Sequence, residues 1–419
     1  MTPSSPSSTP NASASTAVVG STALIIVILG LASAIGPFAI DMYLPALPQI
    51  GQAFQAPVGQ VQASLMVFFF AMGAGQLVYG PLSDHIGRKR TLYAGLALFI
   101  VSSIACALAT DIQTLIAWRF LQGLGSCAGA VVPRAIVRDL STGPESARMM
   151  ARLMLVFSVS PILAPLAGSF LIEAWGWRSV FWAVMAAALV TGLLIATRLP
   201  ETHPHHLRSD DGFAQILVRF RVLLRSGHFM GLVLTGAFCI ASFFIYLAGS
   251  SFVLMQHYGL SAQQFSIAFA ANAMAFIGAS QFSSRWARRW GMAPVVRWAA
   301  TAHAVLLVGM AAVVLTGHEQ LWLMLPLLFL GFACSGMVVP LTSVMALEDH
   351  GPIAGTAAAL MGTLHMVVGA VVMAAVGRFS DGTPAPMVSG IALASVVTLT
   401  LARWTLKAQP GKPMTAGTL

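Results

Sequence analysis

The sequence predicts an all-α polytopic membrane protein, with twelve transmembrane helices arranged as two six-helix bundles. Three observations carry that prediction. Of 419 residues, 57% are hydrophobic and only 8% charged, and the mean hydropathy is +0.82, so water is not this chain's main solvent. Twelve apolar runs can be marked along the chain, each long enough for a lipid-spanning helix of roughly 20 residues. None alternates like a barrel strand, and a backbone crossing lipid must satisfy its own hydrogen bonds, which leaves helices. A soluble enzyme is excluded on the same grounds.

Residues 1–16 are rich in Ser, Thr and Pro with no basic residue, which predicts a disordered cytoplasmic tail rather than a cleavable signal. The first span, near 20–42, follows it and holds Asp41 four residues before Pro45. The second, near 57–80, carries Phe68, Met72 and Gln76 and leads into a basic loop at 80–90. The third lies near 91–109, and the fourth, near 113–137, contains Arg119 and the run Gly129-Ala-Val-Val-Pro133. The fifth, near 151–172, includes Pro161, Pro165 and Gly168, and the sixth, near 178–197, closes an N-terminal bundle over 17–199. From Pro200 to about Arg225 runs the longest polar interruption, which predicts a cytoplasmic linker over 200–227. The seventh span, near 228–255, brings Phe243 and Tyr246, the eighth, near 263–282, brings Asn272, and the ninth, near 294–316, brings His303. The tenth, near 321–346, repeats the fourth with Gly336-Met-Val-Val-Pro340, and the eleventh, near 353–377, holds His365. The twelfth, near 386–406, ends a C-terminal bundle over 228–406, leaving a cytoplasmic tail at 407–419.

With both termini placed inside, every Lys and Arg except Arg119, Arg178 and Arg378 falls on the cytoplasmic side. That asymmetry sets the orientation. It also accounts for the net charge of +9 without a nucleic-acid partner, because the basic residues sit in loops between apolar runs. The Gly-x-Val-Val-Pro echo between the fourth and tenth spans is joined by a weaker one between Gly80 to Arg90 and Ser283 to Gly291. Two echoes at matching positions predict parallel repeats about an axis along the membrane normal. Cys106, Cys127, Cys239 and Cys334 lie in apolar runs without zinc or disulfide spacing and read as small core residues. The tract His203-Pro204-His205-His206 lacks a cysteine partner and is not read as a metal site. No phosphate-binding Gly-x-x-x-x-Gly-Lys sequence exists for an ATP-driven pump, and no nucleophile, metal or acid pair in the spans suggests an enzyme.

The loop Gly80-Pro-Leu-Ser-Asp84-His-Ile-Gly87-Arg88-Lys-Arg90 is the strongest motif. It resembles the cytoplasmic loop signature of the major facilitator superfamily. Asp41-Met-Tyr-Leu-Pro-Ala-Leu-Pro48, Arg119-Phe-Leu-Gln-Gly-Leu-Gly125 and Ala164-Pro165 with Gly168 narrow the resemblance to the Bcr/CflA branch of twelve-span drug:proton antiporters. It covers residues from about 30 to 400, although Ala164 stands where that branch usually has glycine. The resemblance implies the major facilitator fold and proton-driven export of a drug or metabolite across the bacterial inner membrane, hence antibiotic resistance. It also implies substrates like chloramphenicol, bicyclomycin or sulfonamides, and no cofactor besides the proton gradient. A monomer is expected.

Read as chemistry, Asp41 is an acid inside a lipid-spanning run, which is expensive and so marks a functional site by default. It is expected both to couple protons and to touch substrate; the alternative is an interfacial carboxylate capping the broken helix before Pro45. Arg119 among apolar neighbours needs a partner or a wet cavity; the resemblance gives it a role in proton coupling, with Asp41 as the pair to test, whereas snorkelling or tying helices together is the plainer account. In the basic loop, Gly80 allows close helix approach and Gly87 supplies a turn. A cytoplasmic latch is expected in the outward-facing state, with Asp84 at the N-terminus of the eleventh helix and Arg88 on Asp139, against simple topological anchoring. Pro161, Pro165 and Gly168 predict a bent or locally open fifth helix, either the antiport-favouring segment that the resemblance implies or a packing kink. Phe68, Met72, Gln76, Phe243, Tyr246 and Asn272 are the expected walls of a midplane chamber for neutral or weakly charged amphipathic compounds, though Met and Phe also face lipid. His303 and His365 either relay protons or pack through hydrogen bonds. A proton-coupled symporter importing a small metabolite is the competing function, since importers share the loop signature.

Overall fold

The computed structural model describes residues 12–202 and 213–406. Fourteen α-helices are present among the described residues, and there is no strand. Twelve of the helical segments are long and apolar enough to cross a membrane.

The first span is a broken rod. α1 (Ala12–Asp41) stops where Met42 and Tyr43 turn, a short 3-10 helix follows at Leu44–Ala46, and α2 (Leu47–Phe54) continues the same span. Pro45 and Pro48 cause the break, because a proline has no N–H for the helical ladder and is tolerated only in a first turn. The apolar segment therefore runs on past the expected end at 42. α1 also starts inside the stretch expected as a disordered tail, because Ala-Ser-Ala-Ser-Thr-Ala can simply extend the helix; residues 1–11 lie outside the described residues.

The basic loop is mostly helix. α3 (Val58–Ile86) and α4 (Arg88–Ala107) are separated by Gly87 alone, at φ 100°. Only glycine takes that backbone geometry cheaply, so two helices meet at one residue. The second half repeats the device: α10 (Ala262–Trp290) and α11 (Met292–Leu315) flank Gly291 at φ 82°. Between these pairs run α5 (Ile112–Leu140), α6 (Gly143–Trp175), α7 (Ser179–Arg198) and α9 (Gly227–Ser251), and α12 (Leu321–Glu348), α13 (Ala354–Gly377) and α14 (Pro384–Thr405) complete the chain. α6 stays helical through both Pro161 and Pro165 rather than opening there.

One element was not foreseen. The expected polar linker holds α8 (Phe213–Arg225), whose Leu223 is fully buried against Phe229, Leu232 and Ala357. Its three arginines dilute the hydropathy of the run, although the apolar residues recur at helical spacing. The tract at 203–206, with Arg208, Asp210 and Asp211, and the tail at 407–419 lie outside the described residues.

Packing follows the internal repeat. In the first half α3 packs on α5, α4 on α5 and α7, and α1 on α5, α6 and α7; in the second half α10 packs on α12, α11 on α12 and α14, and α9 on α12, α13 and α14. Two seams join the halves, α3 with α13 and α6 with α10. Both are tight at the end opposite the basic loops. A Cβ on Gly59 would lie 2.4 Å from the carbonyl oxygen of Gly377, Gln62 Nε2 donates to Ala248 O at 3.3 Å, and Ser266 Oγ donates to Pro165 O at 2.9 Å. At mid-depth Phe69 stacks on Phe244 with centroids 4.2 Å apart, and Thr363 Oγ1 donates to Gly73 O at 3.0 Å. Towards the basic end the halves separate around a cavity of about 420 Å³. The molecule is thus shut at one end and open at the other.

Candidate functional site

Asp41 is the last residue of α1, with only 5% of its surface exposed. What meets it is set by the fifth span. Ser160, Ala164 and Gly168 recur every four residues, so they share one face of α6, and all three are buried. Ser160 Oγ donates to Asp41 Oδ2 at 3.4 Å. A Cβ on Gly168 would sit 2.4 Å from the carbonyl oxygen of Met42, so glycine is what lets α6 reach the break in the first span. The proline and glycine residues of α6 thereby abut the buried carboxylate directly. One long hydrogen bond is poor compensation for burying a charge.

Arg119 on α5 is fully buried, and it is not ion-paired with Asp41. Its guanidinium carbon lies 4.4 Å from the ring centre of Tyr43 and 4.3 Å from that of Phe68. Nη1 donates to Gln122 Oε1 at 2.6 Å and to Ala39 O at 3.3 Å, while Nε and Nη2 have no hydrogen-bond partner. Aromatic faces replace a carboxylate here, each such contact being worth about 0.5–2 kcal/mol. A carbonyl two residues before Asp41 ties the cation to the end of α1. Tyr43 is itself held by a 2.7 Å hydrogen bond with Ser64, and Gln122 donates to Ser103 at 2.8 Å. Sequence reasoning missed Tyr43, Ser64, Ser103, Gln122 and Ser160; for Gln122 the signal was its position one turn after Arg119.

At the basic end Arg88 is a hub. Its Nε donates to Asp139 Oδ2 at 2.8 Å, its Nη1 donates to Ser83 Oγ at 2.7 Å, and it forms an ion pair with Asp84. Glu201 accepts from the backbone N–H groups of Arg88 at 3.0 Å and Lys89 at 3.2 Å, a carboxylate at a helix N-terminus where the dipole favours it. The Arg88–Asp139 contact is made; the contact of Asp84 with the eleventh helix, expected of the form closed at this end, is not made in this form, which is open there. Asp84 turns to Arg88, and the cavity separates it from Gly355 and Thr356 of α13. Gly80 also lines that cavity, with nothing within 4 Å of where its Cβ would stand, so it is not a close-approach residue here.

The expected chamber walls do not share one space. Gln76 lines the cavity, but Phe68 is spent under Arg119 and Met72 is buried. Asn272 Nδ2 donates to the Tyr246 hydroxyl at 2.8 Å, both buried, and Phe243 packs among Phe269, Phe276 and Phe332. Spacing had put these residues on inward faces; packing between helices filled the space. His303 bridges helices through Gly331 O at 2.9 Å, Ser335 at 3.1 Å and Ser242 at 3.3 Å. His365 is buried against Gly236. Among the described residues no cluster of metal-ligating side chains occurs.

A sequence model of the Major Facilitator Superfamily matches residues 29–373. The chain belongs to this superfamily. Its members are transporters rather than enzymes. An uncharacterized MFS-type transporter of Bacillus subtilis, YdgK, is 36% identical over 86% of this chain and 90% of its own. A bicyclomycin resistance protein homolog of Haemophilus influenzae is 29% identical over 88% of this chain and 92% of its own. The second of these agrees with the resemblance to the drug-exporting branch. The D-xylose-proton symporter shares the fold, with a TM-score of 0.71 and 15% identity over 90% of this chain and 97% of that one.

Proposed function

We propose that this major facilitator protein is a proton-driven exporter of small amphipathic compounds in the bacterial inner membrane, monomeric and with both termini cytoplasmic. The observation that carries the reading is Asp41, a carboxylate buried at the break of the first span and pressed by Ser160 and Gly168 of α6. Concentration of basic residues at the end bearing Arg88, Lys89 and Arg90 supports calling that end cytoplasmic. The cavity is then open to the cytoplasm and the opposite end is shut.

Alternating access follows from the two seams. Opening the far end parts Gly59 from Gly377 and Ser266 from Pro165, and exposes the neighbourhood of Asp41 to the outside, where it takes a proton. Return to the form described here encloses the protonated carboxyl, which releases its proton towards the cytoplasm when substrate enters. Arg119, held by two rings and by the Ala39 carbonyl, supplies a fixed positive charge near the end of α1. One proton moved down about 100 mV supplies about 2.3 kcal/mol, enough for roughly a 50-fold gradient of a neutral substrate. The relative named for bicyclomycin resistance supports drugs as the load, and chloramphenicol and sulfonamides are the further compounds to try.

Everted vesicles test the direction. With an acidified lumen, an exporter accumulates drug inside and dissipates the proton gradient as drug is added. Drug driven out of such vesicles would instead identify a symporter that imports metabolites.

A further inference from the structure

We propose that the junction of α10 and α11 is a binding surface for an anionic phospholipid, whose phosphate is held by arginines of α10 and whose acyl chain lies along an aromatic stripe beside them. The surface needs only a chain in a bilayer, and it stands whether or not the protein is an exporter. Phe282, Trp286 and Trp290 recur every four residues on α10 and so share one face, and all three are exposed, at 52%, 44% and 41%. Trp290 meets Trp286 edge-on with centroids 5.4 Å apart. Across Gly291 it also meets the exposed Trp298 of α11 at 5.9 Å. Three indole rings gathered at the end of a spanning helix make an amphipathic platform at the depth where acyl chains give way to headgroups. Arg285, Arg288 and Arg289 of α10 and Arg297 of α11 stand around it, all exposed. The guanidinium carbon of Arg289 lies 5.1 Å from the Trp290 ring centre.

Topological anchoring asks for basic residues near helix ends, and the α10 dipole favours a cation there, but neither asks for cations packed together. Arg285 and Arg289 are like charges one turn apart, which repel, and neither α10 nor α11 contains an acid to relieve them. Among the described residues none of the four arginines takes part in an ion pair. The equivalent junction in the first half is built the other way. There Asp84 stands three residues before Gly87, where Arg288 stands three before Gly291. Its cations are engaged inside the protein, Arg88 on Asp84 and Asp139, and Lys89 Nζ on the carbonyls of Ala196 at 3.2 Å and Leu199 at 2.8 Å. The second copy has an outward cation in place of that acid. At a membrane interface the abundant negative group is the lipid phosphate, and a guanidinium grips a phosphate through two parallel hydrogen bonds. A zwitterionic headgroup brings its own ammonium close to its phosphate and so repels the arginines in part, whereas an anionic lipid does not.

The test uses the full chain in phosphatidylcholine nanodiscs containing a varied fraction of phosphatidylglycerol or of phosphatidylcholine brominated near the top of the acyl chains, so that either lipid quenches a tryptophan it touches. Emission from the platform is the difference between the unaltered protein and a variant carrying Trp286→Phe, Trp290→Phe and Trp298→Phe. Each arginine beside an anionic lipid contributes about fivefold. At low salt brominated phosphatidylglycerol should therefore reach half-maximal quenching at a mole fraction about tenfold lower than brominated phosphatidylcholine, and the preference should shrink as salt screens the arginines. Arg285→Gln with Arg288→Gln and Arg289→Gln should bring the two lipids within about twofold of each other. Equal quenching by the two lipids on the unaltered protein overturns the proposal, as does an unchanged preference in the triple glutamine variant. A preference that emerges only after Asp210→Asn with Asp211→Asn would show that the chain's own linker covers the arginines, and overturns it too. If the glutamine variant does not fold, the two lipids on the unaltered protein still decide.

Discussion

Gly59→Ala is the sharpest probe of the two seams. The added methyl would lie 2.4 Å from the Gly377 carbonyl oxygen and 3.3 Å from its carbon. A carbon and a carbonyl oxygen ordinarily approach no closer than about 3.3 Å, so the seam must part by roughly 0.9 Å. Backbone on both sides gives way poorly, and overpacking of this kind costs about 1–3 kcal/mol. Because α3 lies in the first half and α13 in the second, the cost falls on the conformer closed at this end. The equilibrium should shift about 5- to 150-fold towards the conformer open there. The assay is double electron–electron resonance between spin labels at Gln113→Cys and His318→Cys, exposed positions at that end in opposite halves, with the four cysteines replaced. The distance distribution should gain a longer component and lose the shorter one. An unchanged distribution, in a variant that folds, would refute the claim that this contact holds the end shut.

Three more expectations follow from the same geometry. Gly168→Ala should push α6 off Met42, lower stability by about 1–3 kcal/mol in a thermal-melt assay and slow proton-driven transport; full activity would show that the close approach beside Asp41 is dispensable. Arg119→Lys replaces a flat guanidinium stacked on Tyr43 and Phe68 by a compact, strongly hydrated ammonium, and should lower the melting temperature, whereas a variant as stable as the parent would mean the rings do not hold the cation. Asp381 accepts hydrogen bonds from the side chain and backbone N–H of Thr383, which hold its carboxyl below the ordinary value of 3.8. It therefore supports the start of α14 above that pH and stops doing so as pH falls through its native pKa, so amide exchange after Thr383 should differ between Asp381→Asn and the parent at neutral pH and converge once the pH has fallen below that native pKa.

The fold was legible because lipid leaves the backbone one solution and each span announces itself by length. Pro45 and Pro48 likewise told of the break after Asp41. What the sequence hid were consequences of packing. α8 escaped notice because Arg219, Arg221 and Arg225 outweigh its apolar face in a hydropathy sum. Arg119 needs a partner or a wet cavity, and the partners it has, Tyr43 and Phe68, were hidden because aromatic residues in a span look alike whether they face lipid or a buried cation. Phe68, Tyr246 and Asn272 were placed in a chamber by spacing alone, which sets the face of a helix but not whether a neighbour fills the space in front of it.

The most direct measurement is drug accumulation in acid-lumen everted vesicles carrying Asp41→Asn, alongside drug exchange without a proton gradient. Loss of gradient-driven accumulation with exchange retained is the predicted result, because the amide keeps the shape and loses the exchangeable proton. Accumulation by Asp41→Asn equal to that of the unaltered chain would contradict it and remove this carboxyl from energy coupling.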